Sequence, residues 1–167
     1  DDYPQQLKDL DFDGQEVGIV VSGGYRATRS IFVDTDDETV DPEFSVNVAV
    51  NRRNDQIQKD LNVTFVTFPT IDMGGMVNYV REYVNGPDSN IDIIGVYQYF
   101  DLGLAFGQDA GSFINYNKID EEDMFINLEA DYWDKNCFDT LSYEGAGFWI
   151  TGDISQVWLS GMFVSYV

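Results

Sequence analysis

The side chains that could do chemistry in this sequence are carboxylates and aromatics, because the usual nucleophile bases and metal ligands are nearly absent. The chain has no histidine, and Cys137 stands alone. The Ser-His-Asp triad, the Cys-His dyad and the common zinc ligand sets need residues that are not here. One cysteine closes no intrachain disulfide. A glycoside hydrolase, in contrast, needs only two carboxylates, and Asp120, Glu121, Glu122, Asp123 and Glu129 could supply them. Their clustering in one polar stretch equally reads as a solvated helix start. The run Asp9-Leu10-Asp11-Phe12-Asp13-Gly14 copies the opening of a calcium loop, with acids at positions one, three and five and glycine at six. Position twelve, where a bidentate Glu belongs, is Val20. Asp34-Thr35-Asp36-Asp37-Glu38 has Thr39 in the glycine position and Ser45 at twelve. Both read as solvated acidic turns, so no metal and no other cofactor is expected.

The elements that would position any site follow from hydrophobic period and turn residues. Glu16 to Ser22 is a β-branched run of strand length closed by Gly23-Gly24, and Tyr25 to Val33 has room for a second short strand. Asp34 to Asp41 is an acidic loop. Pro42-Glu43 suits a helix start, and Val46, Ala49, Val50, Ile57 and Leu61 then follow helical spacing, with Arg52, Asp55 and Lys59 facing solvent. Val63 to Phe68 reads as a strand ended by Pro69. A second helix carries Met73, Met76, Val77, Val80 and Val84 on one face and stops at Gly86-Pro87. Ile91 to Val96 is a third strand. Strand, helix, strand, helix, strand predicts an α/β fold: a mainly parallel sheet with crossover helices in three α/β/α layers. Further on, Leu102 to Gln108 suits a short helix, Phe113 to Tyr116 a short strand and Glu121 to Phe125 a helical turn. Gly147 to Thr151 and Met162 to Val167 read as strands.

Composition bounds the function. The 167 residues are 44% hydrophobic and include twelve Phe, ten Tyr and three Trp, which is enough for one folded domain over 1–167 and too apolar for a disordered chain. No apolar run approaches the roughly 20 residues of a membrane span. Thirty acids against nine bases give a net charge of −21, and after Arg81 the bases are Lys118 and Lys135. Nucleic acid is therefore a poor partner and an anionic membrane surface is disfavoured, since both are held by Lys and Arg. The chain opens Asp1-Asp2-Tyr3-Pro4 without a leader, which predicts that any signal peptide has been removed. Asn62-Val63-Thr64 matches a glycosylation sequon and is given no role.

Several segments resemble one family. Gly145-Ala146-Gly147-Phe148-Trp149-Ile150-Thr151-Gly152-Asp153-Ile154-Ser155 is similar to a strand leading to the hinge of the extracellular solute-binding proteins that serve bacterial ABC importers. Val46 to Val63, with Asn51-Arg52 and Leu61-Asn62-Val63, looks like that family's first helix and the start of its next strand. Ile91 to Tyr99 is similar to its third strand and ligand-side loop. Asp131-Tyr132-Trp133-Asp134 resembles the Trp-containing segment before its final strands. These segments span nearly the whole chain in the family's order. One departure is Ala146, where the family often has Lys after the glycine. The resemblance implies a periplasmic-binding-protein-like lobe, the first of two, ending near the hinge. It implies capture of a small solute, a carbohydrate by preference, for ABC permease subunits. It also implies a location outside the cell or in the periplasm, with membrane attachment only through a lipid anchor on the precursor.

In an open parallel sheet, ligands bind beyond the carboxyl ends of the strands. That rule selects Ser22, Gly23, Gly24 and Tyr25 after the first strand and Tyr97, Tyr99, Phe100 and Asp101 after the third. Glycines let backbone approach a ligand, and aromatic faces suit the C–H faces of sugar rings. The other readings are a plain turn at Gly23-Gly24 and ordinary surface or core aromatics at Tyr97 and Tyr99. Thr151 and Asp153 could line the cleft near the hinge, with Asp153 otherwise a turn residue. Trp133 reads as a buried structural tryptophan or a cap over the cleft. A binding protein needs no catalytic residue, so no enzyme is expected. The competing functions are a stand-alone protein-interaction module and the histidine-free glycoside hydrolase.

Overall fold

The computed structural model describes residues 7, 9–21, 43, 45–68, 71, 74–84, 86, 90–95, 112–120, 126–142 and 144–151. The chain falls into two compact units, residues 1–101 and 102–167.

The first unit is mixed α/β, in agreement with the strand and helix alternation of the sequence. Strand β1 (Gln15–Val21) is followed by helix α1 (Ser45–Leu61), strand β2 (Val63–Thr67), helix α2 (Met76–Val84) and strand β3 (Ile93–Gly95). The strands form one parallel sheet in the order β2-β1-β3. Register pairs Val17 with Phe65 on one side of β1 and Val20 with Ile94 on the other. In β1, Ile19, Val20 and Val21 are 4%, 0% and 7% exposed. Adjacent strand residues point to opposite faces, so both faces of this strand are covered, as parallel sheets require. In β2, Val63, Phe65 and Val66 are half-buried, and Thr64 and Thr67 are exposed.

Gly18 shows why β1 carries a glycine in a β-branched run. Its N–H donates to Asp92 Oδ2 at 2.8 Å, and its carbonyl accepts from the Asp92 N–H at 2.9 Å. A Cβ at Gly18 would run into the Asn90 carbonyl. The segment entering β3 thus lies directly against the β1 backbone.

Helix α1 buries Asn47, Val50 and Asn54, while Ala49, expected on the inner face, is exposed. The buried stripe is rotated because two of its members are amides that hydrophobic period does not count. Arg53 donates from Nε and NH2 to Asn54 Oδ1 at 3.1 and 2.8 Å, and burial lowers the Arg53 guanidinium pKa. Arg52, Asp55 and Lys59 face solvent as expected. The helix ends at Asn62, whose φ of 51° is the left-handed stop common at helix C-termini. The calcium-like run closes onto this end as a turn. Phe12 N–H donates to Leu61 O at 3.0 Å and Gly14 N–H to Asn62 O at 2.7 Å, with Asp13 and Gly14 at φ 53° and 76°. Asp11 Oδ1 accepts from the Asp13 N–H at 2.9 Å and from Asn62 Nδ2 at 2.7 Å. Helix α2 buries Met76 and Val80 at 0% and 1% exposure. Its half-buried Tyr83 meets Phe68 edge-on at 5.4 Å between ring centroids.

The second unit is held by side-chain clamps around one aromatic core. A 3-10 turn (Tyr116–Lys118) is capped by Asn115, and helix α3 (Lys135–Thr140) follows Asp134, whose Oδ1 accepts from the Asn136 N–H at 3.1 Å. Tyr116 and Leu141 are buried. Two expected strands are corrected here: neither Phe113–Tyr116 nor Gly147–Thr151 is a strand. Asn115 Oδ1 takes the N–H of both Asn117 and Gly147, at 3.1 and 3.0 Å, and such side-chain bonds compete with a backbone ladder. The backbone bond between these segments runs from Tyr116 N–H to Gly147 O at 2.9 Å. Gly147 is required because a Cβ there would enter the Tyr116 ring. Helix α3 has no counterpart among the sequence expectations. The expected elements at Tyr25–Val33, Asp34–Asp41, Leu102–Gln108, Glu121–Phe125 and Met162–Val167 lie outside the described residues.

Candidate functional site

The strand order places the candidate site of the first unit. β1 connects through α1 to β2 on one side, and the chain then crosses through α2 to β3 on the other side of β1. The direction of winding therefore reverses between β1 and β3. In open α/β sheets with this 2-1-3 start, the crevice beyond the carboxyl ends of those two strands is the ligand site. β1 ends at Val21 and β3 at Gly95, and these two residues are register partners. The chain leaves the sheet at two adjacent points, one running into Ser22, Gly23, Gly24 and Tyr25, the other into Tyr97, Tyr99, Phe100 and Asp101. All eight lie outside the described residues, as does Asp153.

Near β2, an aromatic stack flanks the same sheet. Tyr79 and Tyr83 are 4.8 Å apart between ring centroids. Burial, then the hydrogen bond and charge of Tyr83, push the Tyr79 phenol up to about 12.

Thr151 is the one expected site residue among those described. It is half-buried, and its carbonyl accepts from the Asp134 N–H at 3.0 Å. This bond brings the segment carrying Trp149 beside the segment carrying Trp133. Rings cluster around Trp133: Tyr132 and Phe138 lie 5.2 and 6.5 Å from it, and Tyr116 lies 5.8 Å from Phe138. The indole Nε1 atoms of Trp133 and Trp149 are both buried without a hydrogen-bond partner. The sequence reading missed Trp149, which it took as one aromatic in an apolar strand. The available signal was the indole N–H itself, which usually finds a partner when buried.

Along the outside of α1 runs a groove of about 430 Å³ lined by Val48, Asn51, Arg52, Asp55, Gln56 and Lys59. All six belong to one helix, so this is a surface stripe and not a set of groups converging on a ligand. Among the described residues no group of His, Cys, Asp or Glu is arranged to hold a metal ion, and no helix is long and apolar enough to cross a membrane. Glu129, one of the hydrolase candidates, is 87% exposed at its side chain and pairs with Lys135 at 3.0 Å on the surface. Comparison with protein-family models, with curated proteins and with solved structures finds no match to this chain.

Proposed function

We propose that this chain is a solute-capture protein: the first lobe of a periplasmic-binding-protein-like receptor that hands a small solute, a sugar by preference, to ABC permease subunits. The observation that supports the reading is the β2-β1-β3 parallel order, because open sheets of this order take their ligands beyond strands that end side by side as β1 and β3 do. The resemblance of residues 46–63, 91–99 and 145–155 to solute-binding proteins supports it. In this reading Ser22, Gly23, Gly24, Tyr25, Tyr97, Tyr99, Phe100 and Asp101 line the crevice, with Thr151 and Asp153 near the hinge. No chemical step is required, and ligand acts by favouring a closed state of the two lobes. The protein works outside the cell or in the periplasm, anchored, where it is anchored, through a lipid on its precursor.

Isothermal titration with D-glucose, D-galactose, maltose and cellobiose at millimolar concentration tests this. A saturable heat that weakens about tenfold in a Tyr97→Ala/Tyr99→Ala variant is expected, the loss of two stacking contacts. No saturable heat with any of the four sugars would sink the carbohydrate reading.

A second reading is a protein-interaction module, and one observation favours it. Ile114 is 77% exposed, and Ile126, Tyr132 and Ile150 of the same unit are 41%, 48% and 37% exposed. Apolar surface of this kind marks interaction sites where it is contiguous. Capture of a defined protein partner that survives Tyr97→Ala/Tyr99→Ala and is lost on Ile114→Asp would favour it over solute capture.

A further inference from the structure

We propose that Gln58 guards the outer edge of β2 against strand addition by a second copy of this chain. Backbone N–H and C=O groups alternate between the two sides of a strand. The Phe68 N–H donates to Ile19 O at 3.2 Å, so the backbone groups of Thr64, Val66 and Phe68 face β1. Those of Val63, Phe65 and Thr67 face the other way, and among the described residues no strand pairs with β2 on that side. Phe65 is the middle residue of β2, and its N–H donates to Gln58 Oε1 at 2.8 Å. Gln58 lies near the C-terminal end of α1 and is half-buried. A helix side chain thus occupies the position that a neighbouring strand would use, which is one way of blunting an edge.

The sequence of β2 shows why this edge needs a guard and what it guards against. Val63 to Phe68 is Val-Thr-Phe-Val-Thr-Phe, β-branched or aromatic throughout, with no charge, glycine or proline. Segments of this kind add to like segments when they lie at an open edge. The like segment here is β2 of a second copy. Two such edges brought together antiparallel set Phe65 opposite Phe65 and Val63 opposite Thr67, so that each outward N–H meets an outward C=O. That arrangement is closed by a two-fold axis. Its central exchange needs the Phe65 N–H that Gln58 holds, so each copy has to give up that bond first. The net charge of −21 also keeps copies apart, but at physiological ionic strength that repulsion is screened beyond about 8 Å. The hydrogen bond is not. The guard acts at β2 alone and does not rest on the solute-capture reading.

Sedimentation velocity of the full chain, from micromolar to millimolar protein at physiological salt, compares the parent with Gln58→Ala, Gln58→Glu and Gln58→Ala/Thr67→Pro. Loss of one hydrogen bond in each of two copies should tighten dimerisation of Gln58→Ala about five- to 150-fold. Gln58→Glu keeps an acceptor for the Phe65 N–H and should sediment as the parent does. Proline at position 67 removes an outward N–H and leaves the β1 side of the strand intact, so the double variant should return to the parent's behaviour. A second readout is hydrogen exchange of the Phe65 amide at low concentration, expected to be about two- to tenfold faster in Gln58→Ala. A Gln58→Ala chain that sediments as the parent does at every concentration overturns the proposal, as does an unchanged Phe65 exchange rate. Association that persists in the double variant also overturns it, because it would then come from another surface or from loss of the fold.

Discussion

Replacing Gly18 with alanine should be among the most damaging single-methyl additions in the first unit. The new Cβ would collide with the Asn90 carbonyl oxygen and lie 2.8 Å from its carbon and 3.1 Å from Phe68 Cε2. The oxygen and carbon are backbone, so the segment from Asn90 to Asp92 has to move. Overpacking of this kind costs about 1–3 kcal/mol. The movement also stretches both Gly18–Asp92 hydrogen bonds. The one to a carboxylate is worth about 1.5–3 kcal/mol and the amide–carbonyl bond about 0.5–1.5 kcal/mol. Against these losses, alanine restricts the unfolded chain and returns about 0.4–1 kcal/mol. The net destabilisation is about 2–7 kcal/mol, a large part of the 5–15 kcal/mol that holds a typical domain. Thermal unfolding followed by circular dichroism should show the midpoint falling by about 10–15 °C. Gly14→Ala is the control. It meets nothing within 4 Å but sits at φ +76°, so it should cost only the left-handed penalty of about 1–2 kcal/mol. A Gly18→Ala protein as stable as the parent, or more stable than Gly14→Ala, would refute the clamp between β1 and the start of β3.

Three further outcomes are expected. The Asp13 N–H, and after it the Asn62 amide, hold the Asp11 carboxyl below its ordinary value; the folded state gains from this above the usual aspartate range and loses it as pH falls below about 4. Asp11→Asn should therefore flatten part of the acid limb of a stability–pH profile, and an unchanged limb would count against the turn. Tyr79 has the opposite sign: its folded phenol lies near 12 against about 10 when unfolded, so stability is lost as pH rises between those values. Tyr83→Phe should bring the Tyr79 titration, read by phenolate absorbance, back toward the ordinary value. Asn115→Ala removes the acceptor shared by Asn117 and Gly147 and should cost about 1–2 kcal/mol, a typical capping loss, with near-ultraviolet dichroism of the Tyr116–Phe138 pair reduced.

Legibility from sequence followed the physics of each element. β1, β2, α1 and α2 were readable because β-branched runs, helical spacing and glycine or proline stops agree with one another there. The turn at Asp13-Gly14 was readable because both residues tolerate positive φ. The inner face of α1 was misplaced because Asn47 and Asn54 are buried amides. The two strands expected in residues 113–116 and 147–151 failed for a different reason. Their apolar composition is right, but Asn115 intercepts the N–H that a ladder would use, and no pattern in the apolar residues reveals that. Helix α3 is six residues long, too short for periodicity to show.

The site divides along the same line. A carboxyl-end rule can be applied to any strand read from sequence, so Ser22, Gly23, Gly24 and Tyr25 and then Tyr97, Tyr99, Phe100 and Asp101 follow from knowing where β1 and β3 stop. Which strands are neighbours is a property of the sheet and not of the local pattern. Had the order been β1-β2-β3, the first and third strands would have been separated by β2, and their carboxyl ends would not have been neighbours. The observed β2-β1-β3 order, with Val21 opposite Gly95, turns two separate loop predictions into a single structural hypothesis. The indole pair lies outside the reach of that rule, since an unpartnered donor is defined by what surrounds it. Trp133 and Trp149 are sixteen positions apart in the sequence, and the Asp134–Thr151 bond ties their two segments together.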